Sequence, residues 1–162
     1  IIKPPLSGVK SKDNKPIFGG YFYVSEAREK KWIDDAIFHS ADIKLAVCLT
    51  DNNLHIGNVY LTDINYINRT AELRIMIGNQ AYWGQGLGGE ALRLILKYGF
   101  DERGLNRIYA HINSDNAASL RIHEKCGYKK EGLLRQAIIK NGQFKDVVVM
   151  SILRENLSNK KQ

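Results

Sequence analysis

A single mixed, mostly antiparallel β-sheet flanked by helices, an α/β (α+β) fold in one domain spanning 1–162, is the architecture this sequence predicts. Three observations predict it. Two pairs of β-rich runs are joined by short turn-forming segments, and amphipathic helical stretches lie between them. The order helix, hairpin, strand, helix, strand, helix, hairpin suits neither a helix bundle nor an all-β sandwich.

Ser25 to Phe38 reads as a helix, capped by Ser25, with Trp32, Ile33, Ala36 and Ile37 on one face. Ile43 to Thr50 and Leu54 to Thr62 form a hairpin around Asp51-Asn52-Asn53. The polar loop Asp63 to Thr70 leads into a strand at Glu72 to Ile77, which Gly78-Asn79 stops. From Leu87, the residues Leu87, Ala91, Leu94, Ile95 and Tyr98 recur at helical spacing, opposite Glu90, Arg93, Lys97 and Asp101, and Gly104 ends this helix. Arg107 to Ile112 alternates as a strand does. Ala117 to Cys126 is a helix opened by Asp115 or Asn116 and closed by Gly127. Leu133 to Lys140 and Gln143 to Leu153 make a second hairpin on Asn141-Gly142. No repeat or low-complexity segment interrupts the order.

With 162 residues, 44% of them hydrophobic and 25% charged, the chain supports one core. A domain of this length buries roughly 70% of the surface its unfolded form exposes, so it needs no disulfide or metal. Its two cysteines, Cys48 and Cys126, form no CxxC and stand in no zinc-like spacing with histidine. A reducing, cytoplasmic setting and no metal site are expected. No run approaches the length of a membrane span, and Ile1 to Gly8 lacks a signal pattern, which predicts a soluble protein that is not exported. The missing initiator Met suggests a numbering that begins inside a longer chain or after trimming. The net charge of +7 attracts anions, but its bearers are scattered, which weakens a nucleic-acid reading; the tail from Asn159 reads as a solvated end.

Trp83-Gly84-Gln85-Gly86-Leu87-Gly88-Gly89 lies between a strand and a helix start, with four glycines in six positions from Gly84 to Gly89. Bare main-chain N–H groups at a helix N-terminus make an anion site, and the helix dipole adds roughly half a positive charge. The competing reading is a turn whose glycines only relieve crowding. Gly84, Gly86 and Gly89 also satisfy G-x-G-x-x-G. A dinucleotide fold needs a second half beyond this point, yet fewer than eighty residues follow and they end in an antiparallel hairpin. No acidic residue stands at the tip of Arg107 to Ile112, and no Lys-Ser/Thr pair follows the glycines, which demotes nicotinamide and nucleoside-triphosphate enzymes.

Around this segment stand Glu72-Leu73-Arg74-Ile75-Met76-Ile77, then Tyr82 through Ala91, then Asn113-x-x-Asn116-x-x-Ser119 followed by His123-Glu124-Lys125-Cys126-Gly127-Tyr128. Through these runs the chain resembles the GNAT N-acetyltransferase superfamily over Ile56 to Leu153, with Gly142 to Met150 as its closing hairpin. Within it the chain looks most like the branch that acetylates ribosomal-protein N-termini, polyamines and amino sugars. The resemblance implies a GNAT-like acyl-CoA N-acyltransferase fold and acetyl-CoA as cosubstrate. It implies that Ile75, Met76 and Ile77 pair their backbone with the pantetheine arm, and that Trp83, Gly84, Gln85, Gly86, Leu87, Gly88 and Gly89 cradle the pyrophosphate. Asn116, Ser119, His123 and Lys125 would flank the rest of the cofactor. Trp83 departs from the Gln or Arg frequent in the superfamily, which leaves the pyrophosphate to main-chain donors.

Acetyl transfer from a thioester to an amine needs a neutral amine, a donor for the developing oxyanion and a proton for the thiolate. Direct attack requires no covalent enzyme intermediate, so Cys48, expected in a buried strand, and Cys126, near a helix end, read as small apolar fillers. A backbone N–H near Met76 is the candidate oxyanion donor. His123 stands where many relatives carry a Tyr thought to protonate the thiolate, and imidazole can do the same; the alternative is packing. Glu72 is the candidate for drawing a proton from the amine, directly or through water, against an ordinary exposed strand position. Asp146 reads as surface solvation rather than an acceptor site, and His39, His55 and His111 as structural or surface residues.

The expected function is transfer of acetyl from acetyl-CoA to a primary amine of a small molecule or protein. Its expected partners are acetyl-CoA and an amine acceptor, with no nucleic acid and no membrane; a homodimer is one assembly open to it. A non-catalytic acetyl-CoA sensor or scaffold is the alternative, and a basic nucleic-acid binder is a weaker rival.

Overall fold

The computed structural model describes residues 30, 31 and 42–158. The helix expected from Ser25 to Phe38 lies outside the described residues except at Lys30 and Lys31, which are helical; His39 and the tail from Asn159 lie outside them too. Among the described residues there are six strands: β1 (Ile43–Cys48), β2 (His55–Asn65), β3 (Thr70–Ile77), β4 (Arg107–Asn113), β5 (Lys129–Lys140) and β6 (Gln143–Leu153). Helix α1 (Leu87–Lys97) joins β3 to β4, α2 (Ala117–Cys126) joins β4 to β5, and a short α3 (Arg154–Ser158) follows β6. The strands form one sheet in the order β1-β2-β3-β4-β6-β5, in which only β3 and β4 run parallel.

Both hairpins form where the turn residues placed them. Asn141 and Gly142 take φ of +51° and +73°, a pair of left-handed residues whose twist matches that of the flanking strands. Asn116 caps α2 by accepting the Ser119 N–H at 3.1 Å, and Gly127 closes it at φ +104°. β5 begins four residues before the predicted start and is interrupted by register shifts at 130/132 and 134/138. Asp146 holds the second bulge, since its Oδ1 accepts the Gln136 N–H at 2.8 Å. His55 Nε2 lies 3.0 Å from Oδ1 of the buried Asn58, a structural contact within β2.

Leu61 of β2, Leu92 and Leu96 of α1, Phe100 and Ile108 of β4 are fully buried and form the centre of the core. Removing such a side chain from water contributes about 1.5–3 kcal/mol each. The phase of α1 differs from expectation. Leu94 is 64% exposed and Tyr98 is also exposed, while Leu92 and Leu96 face the sheet in their place. Leu92, Leu94, Ile95 and Leu96 are apolar almost around the helix, so spacing gives a period without a direction; packing on Leu61 and Ile108 selects it. The helix also ends earlier than expected, at Lys97, and passes through a π-helical turn at Tyr98–Glu102 before Gly104. Cys48 is exposed rather than buried: among the described residues β1 lies at the edge of the sheet, and its pairing with β2 slips between Val47 and Cys48. Among the described residues no helix is long and apolar enough to cross a membrane.

The sheet is forked at its centre. β2 pairs with β3 as far as Ile77, yet β4 pairs with β3 only through Thr70–Glu72 against Arg107–Tyr109. Beyond Glu72 the edge of β3 facing β4 therefore carries main-chain groups with no strand partner. Gly57 of β2 allows β2 to press closely on this segment: a Cβ there would stand 2.1 Å from the Met76 carbonyl oxygen.

Candidate active site

The fork opens into a cavity of about 980 Å³. Ile75, Met76 and Ile77 form its β3 wall, and Asn113 belongs to the β4 side. Trp83, Gly84, Gly86 and the start of α1 at Leu87, Gly88 and Gly89 line its base. From α2 come Asn116, Ser119 and Lys125. The fold thus brings together most of the residues expected to hold the cofactor. Gln85 is the exception within the glycine segment. It does not line the cavity, and its side-chain amide donates to the Ala81 carbonyl at 2.8 Å, fastening the loop.

Local chemistry explains the loop. Asn79 accepts the Ala81 N–H at 3.1 Å and starts the short turn Gln80–Tyr82. Trp83, the departure from the superfamily pattern, donates its indole N–H to the Ile77 carbonyl at 2.7 Å and so ties the loop to the end of β3. Gly84 and Gly86 take φ of +76° and +84° with open space where a Cβ would stand. The left-handed backbone, not crowding, is what excludes other residues there. Among the described residues the N–H groups of Gln85, Gly86, Leu87 and Gly88 have no backbone acceptor. They form a main-chain nest at a helix N-terminus, and this fits the diphosphate of a CoA thioester.

Sequence reasoning missed three parts of this cavity. Arg93 was placed on the solvent face of α1, yet it lines the cavity with Arg121 of α2. Arg121 and Lys125 stand four residues apart on one helix face, a signal that the spacing offered. Ile138 and Ile139, near the tip of the second hairpin, also reach the cavity, and no local pattern foretells that.

The two candidate proton carriers lie elsewhere. His123 does not line the cavity. It is 2% exposed, packs edge-on against Tyr128 at 4.9 Å, and its Nδ1 lies 2.8 Å from the Ser119 carbonyl. A carbonyl only accepts, so Nδ1 carries the proton and Nε2, which has no partner, is bare in the neutral ring. Burial pushes this histidine below its ordinary value, partly opposed by the Ser119 bond. Cys126, on the same helix, is buried, with its thiol 3.7 Å from the Gly89 carbonyl.

Glu72 is buried, not an exposed strand residue: it is 5% exposed. Ala71 and Leu73 turn into the core, so Glu72 and Arg74 share the opposite face of β3. Arg74 Nη2 donates to Glu72 Oε2 at 2.6 Å, and Nδ1 of His111 lies 3.0 Å from Oε1. Burial works to raise the Glu72 carboxyl, but the hydrogen bonds and charges of Arg74 and His111 outweigh it and hold the group below its ordinary value. His111, set aside in the sequence, is thus drawn to Glu72 by the fold.

A family model for the acetyltransferase (GNAT) domain matches residues 15–129. The spermidine N(1)-acetyltransferase of Vibrio cholerae serotype O1 is 33% identical over 153 residues, covering 93% of this chain and 87% of that protein. An uncharacterised N-acetyltransferase, p20 of Bacillus licheniformis, is 30% identical over 132 residues, 81% of this chain and 74% of its own. The crystal structure of the V. cholerae spermidine N-acetyltransferase in complex with CoA and spermine superimposes with a TM-score of 0.79 at 31% identity, over 85% of this chain and 80% of that one. With a forked sheet, a main-chain anion nest and these relatives, the chain belongs to the GNAT acetyltransferase family and is an acetyl-CoA-dependent N-acetyltransferase.

Proposed function

We propose that this enzyme acetylates a primary amine of a polyamine. The observation that carries the reading is the likeness over most of the chain to a spermidine acetyltransferase whose solved form holds CoA and spermine. The fork supports it: the helix side offers main-chain donors and cations to an anionic cofactor, and the opposite face carries a polar cluster of Glu72, Arg74 and His111.

In this proposal the nest from Trp83 to Gly89 holds the pyrophosphate, and Arg93, Arg121 and Lys125 neutralise phosphate charge. The edge of β3 at Ile75, Met76 and Ile77, which has no partner in β4 and whose Ile77 carbonyl accepts from Trp83, takes the pantetheine arm, and a backbone N–H near Met76 takes the developing oxyanion. Asn116 and Ser119 flank the cofactor from α2. Acetyl-CoA supplies the activated acyl group. Glu72, buried and hydrogen-bonded on both oxygens, serves deprotonation of the amine through its neighbours rather than directly. For His123 to protonate the thiolate from Nε2, the ring must be doubly protonated, a form that its burial opposes; the geometry supports packing of α2 for this residue.

Thiol release from acetyl-CoA over spermidine, spermine, a peptide with a free N-terminus and an amino sugar tests the reading. The polyamines are expected to exceed the others in kcat/KM by about tenfold or more, an advantage of roughly 1.4 kcal/mol. Preference for the peptide or the sugar overturns it.

A further inference from the structure

The polar cluster on the sheet face away from α1 and α2 carries an inference that rests on the amine-acetylation reading and sharpens it. On β4, Ile108, Ala110 and Ile112 are buried in the core, so Tyr109 and His111 alternate onto the other face with Glu72 and Arg74. Glu72 and Tyr109 are the last paired residues before the fork. His111 is therefore the first residue on this face of β4 beyond that pairing. Asn113, which lines the cavity, lies two residues further, about 6.6 Å along the strand. His111 accordingly stands at the mouth of the fork.

Its hydrogen bond determines what it can do there. The Glu72 carboxylate accepts from Arg74 through one oxygen and faces Nδ1 of His111 through the other. A carboxylate only accepts, so Nδ1 carries a proton and, in the neutral ring, Nε2 is the nitrogen with the lone pair. Nε2 has no hydrogen-bond partner among the described residues, and the His111 side chain is 40% exposed while that of Glu72 is 7% exposed. A buried carboxylate that fixes the tautomer of an accessible imidazole is the arrangement by which a histidine is made a base.

We infer that His111 is the general base of the acetyl transfer, with Glu72 as its positioning residue. Nε2 takes one proton from the acceptor ammonium, giving a neutral amine and an imidazolium held by Glu72. The amine lone pair forms the C–N bond at the thioester carbonyl, the C–S bond breaks, and its electron pair leaves on sulfur. The second nitrogen proton passes to the thiolate, and His111 returns its proton to solvent. Glu72 itself is ill-suited to the first step, because its two hydrogen bonds weaken it as a base. Among the described residues the charged and titratable groups on this face beside His111 are Glu72, Arg74, which bonds Glu72, and Tyr109 of its own strand, whose ring centroid is 5.7 Å away; its partner on β6 is the apolar Val149.

The test compares wild type with His111→Gln in thiol release from acetyl-CoA and spermidine across pH. The variant is expected to lose on the order of 100-fold in kcat near neutral pH, with its KM for acetyl-CoA unchanged. The deficit is expected to shrink at high pH, where the amine sheds its proton unaided, and added imidazole is expected to restore part of the rate to His111→Ala. An active wild type matched by His111→Gln within about threefold, or a deficit equal at every pH, overturns the inference alone. A wild type that turns over peptides but no polyamine overturns only the choice of acceptor, and the same comparison is then made on the peptide. A wild type that releases thiol with no amine overturns both. Nitrogen NMR of the wild-type ring is independent of any variant: a proton on Nδ1 is expected, and a resting ring protonated on Nε2 alone sinks the assignment.

Discussion

The two faces of the fork are built on different principles. On the helix side, the anion nest uses main-chain N–H groups supplied by one continuous run, Trp83 to Gly89, at the start of α1. On the other side, Glu72, Arg74 and His111 come from two strands and meet only because β3 and β4 lie parallel in one register. Backbone chemistry is written locally and tolerates change in most side chains. A side-chain constellation depends on register and is sensitive to the loss of any one member.

Gly86→Val breaks the first face most strongly. A β-branched residue at φ +84° costs about 1–2 kcal/mol of backbone strain and re-aims the donors, so affinity for acetyl-CoA is expected to fall by tenfold or more in calorimetry. Gly142→Val sharpens the comparison: at φ +73° in the second hairpin it should cost similar stability and leave affinity unchanged. Equal loss of affinity in both would make Gly86 a folding residue only.

His123→Phe has a smaller expected effect. The substitution removes a buried nitrogen with no partner and the Ser119 contact together, so kcat should stay within about threefold of wild type. A fall near 100-fold, with binding intact, would restore the thiolate-protonation reading.

The smallest effect lies further along the polar face. The two guanidinium hydrogen bonds from Arg107 and one from Ser151 hold the Glu131 carboxyl down to about 2. A depressed carboxylate stabilises the fold above its unfolded value near 4.5, and that stability is lost as pH falls towards 2. Because Glu131 is exposed, the contribution should be below about 1 kcal/mol. Glu131→Gln is expected to flatten acid unfolding between these pH values and to leave acetyl transfer unchanged; an unaltered acid profile would remove the role.

Asn141-Gly142, Asn116 and the glycine run were readable because each specifies a backbone conformation within a few residues. Most of the positions that the family resemblance implied for the cofactor line the cavity, because they lie in short continuous runs. His111 was not readable, since its partner lies 39 residues away and one-dimensional spacing carries no sign of the pairing. Arg93 was assigned to solvent on a correct helical period, and the nearby α2 made that face a cavity wall.

The sequence by itself determined the element order, the two hairpin turns and the anion nest, because dihedral preference and hydrogen-bonding capacity are properties of short segments. Only the tertiary structure decided which stripe of α1 is buried, where β3 and β4 separate, and which side chain of the neighbouring strand reaches Glu72. Those depend on contacts between segments distant in the chain, where many partners satisfy the same local pattern and packing selects one.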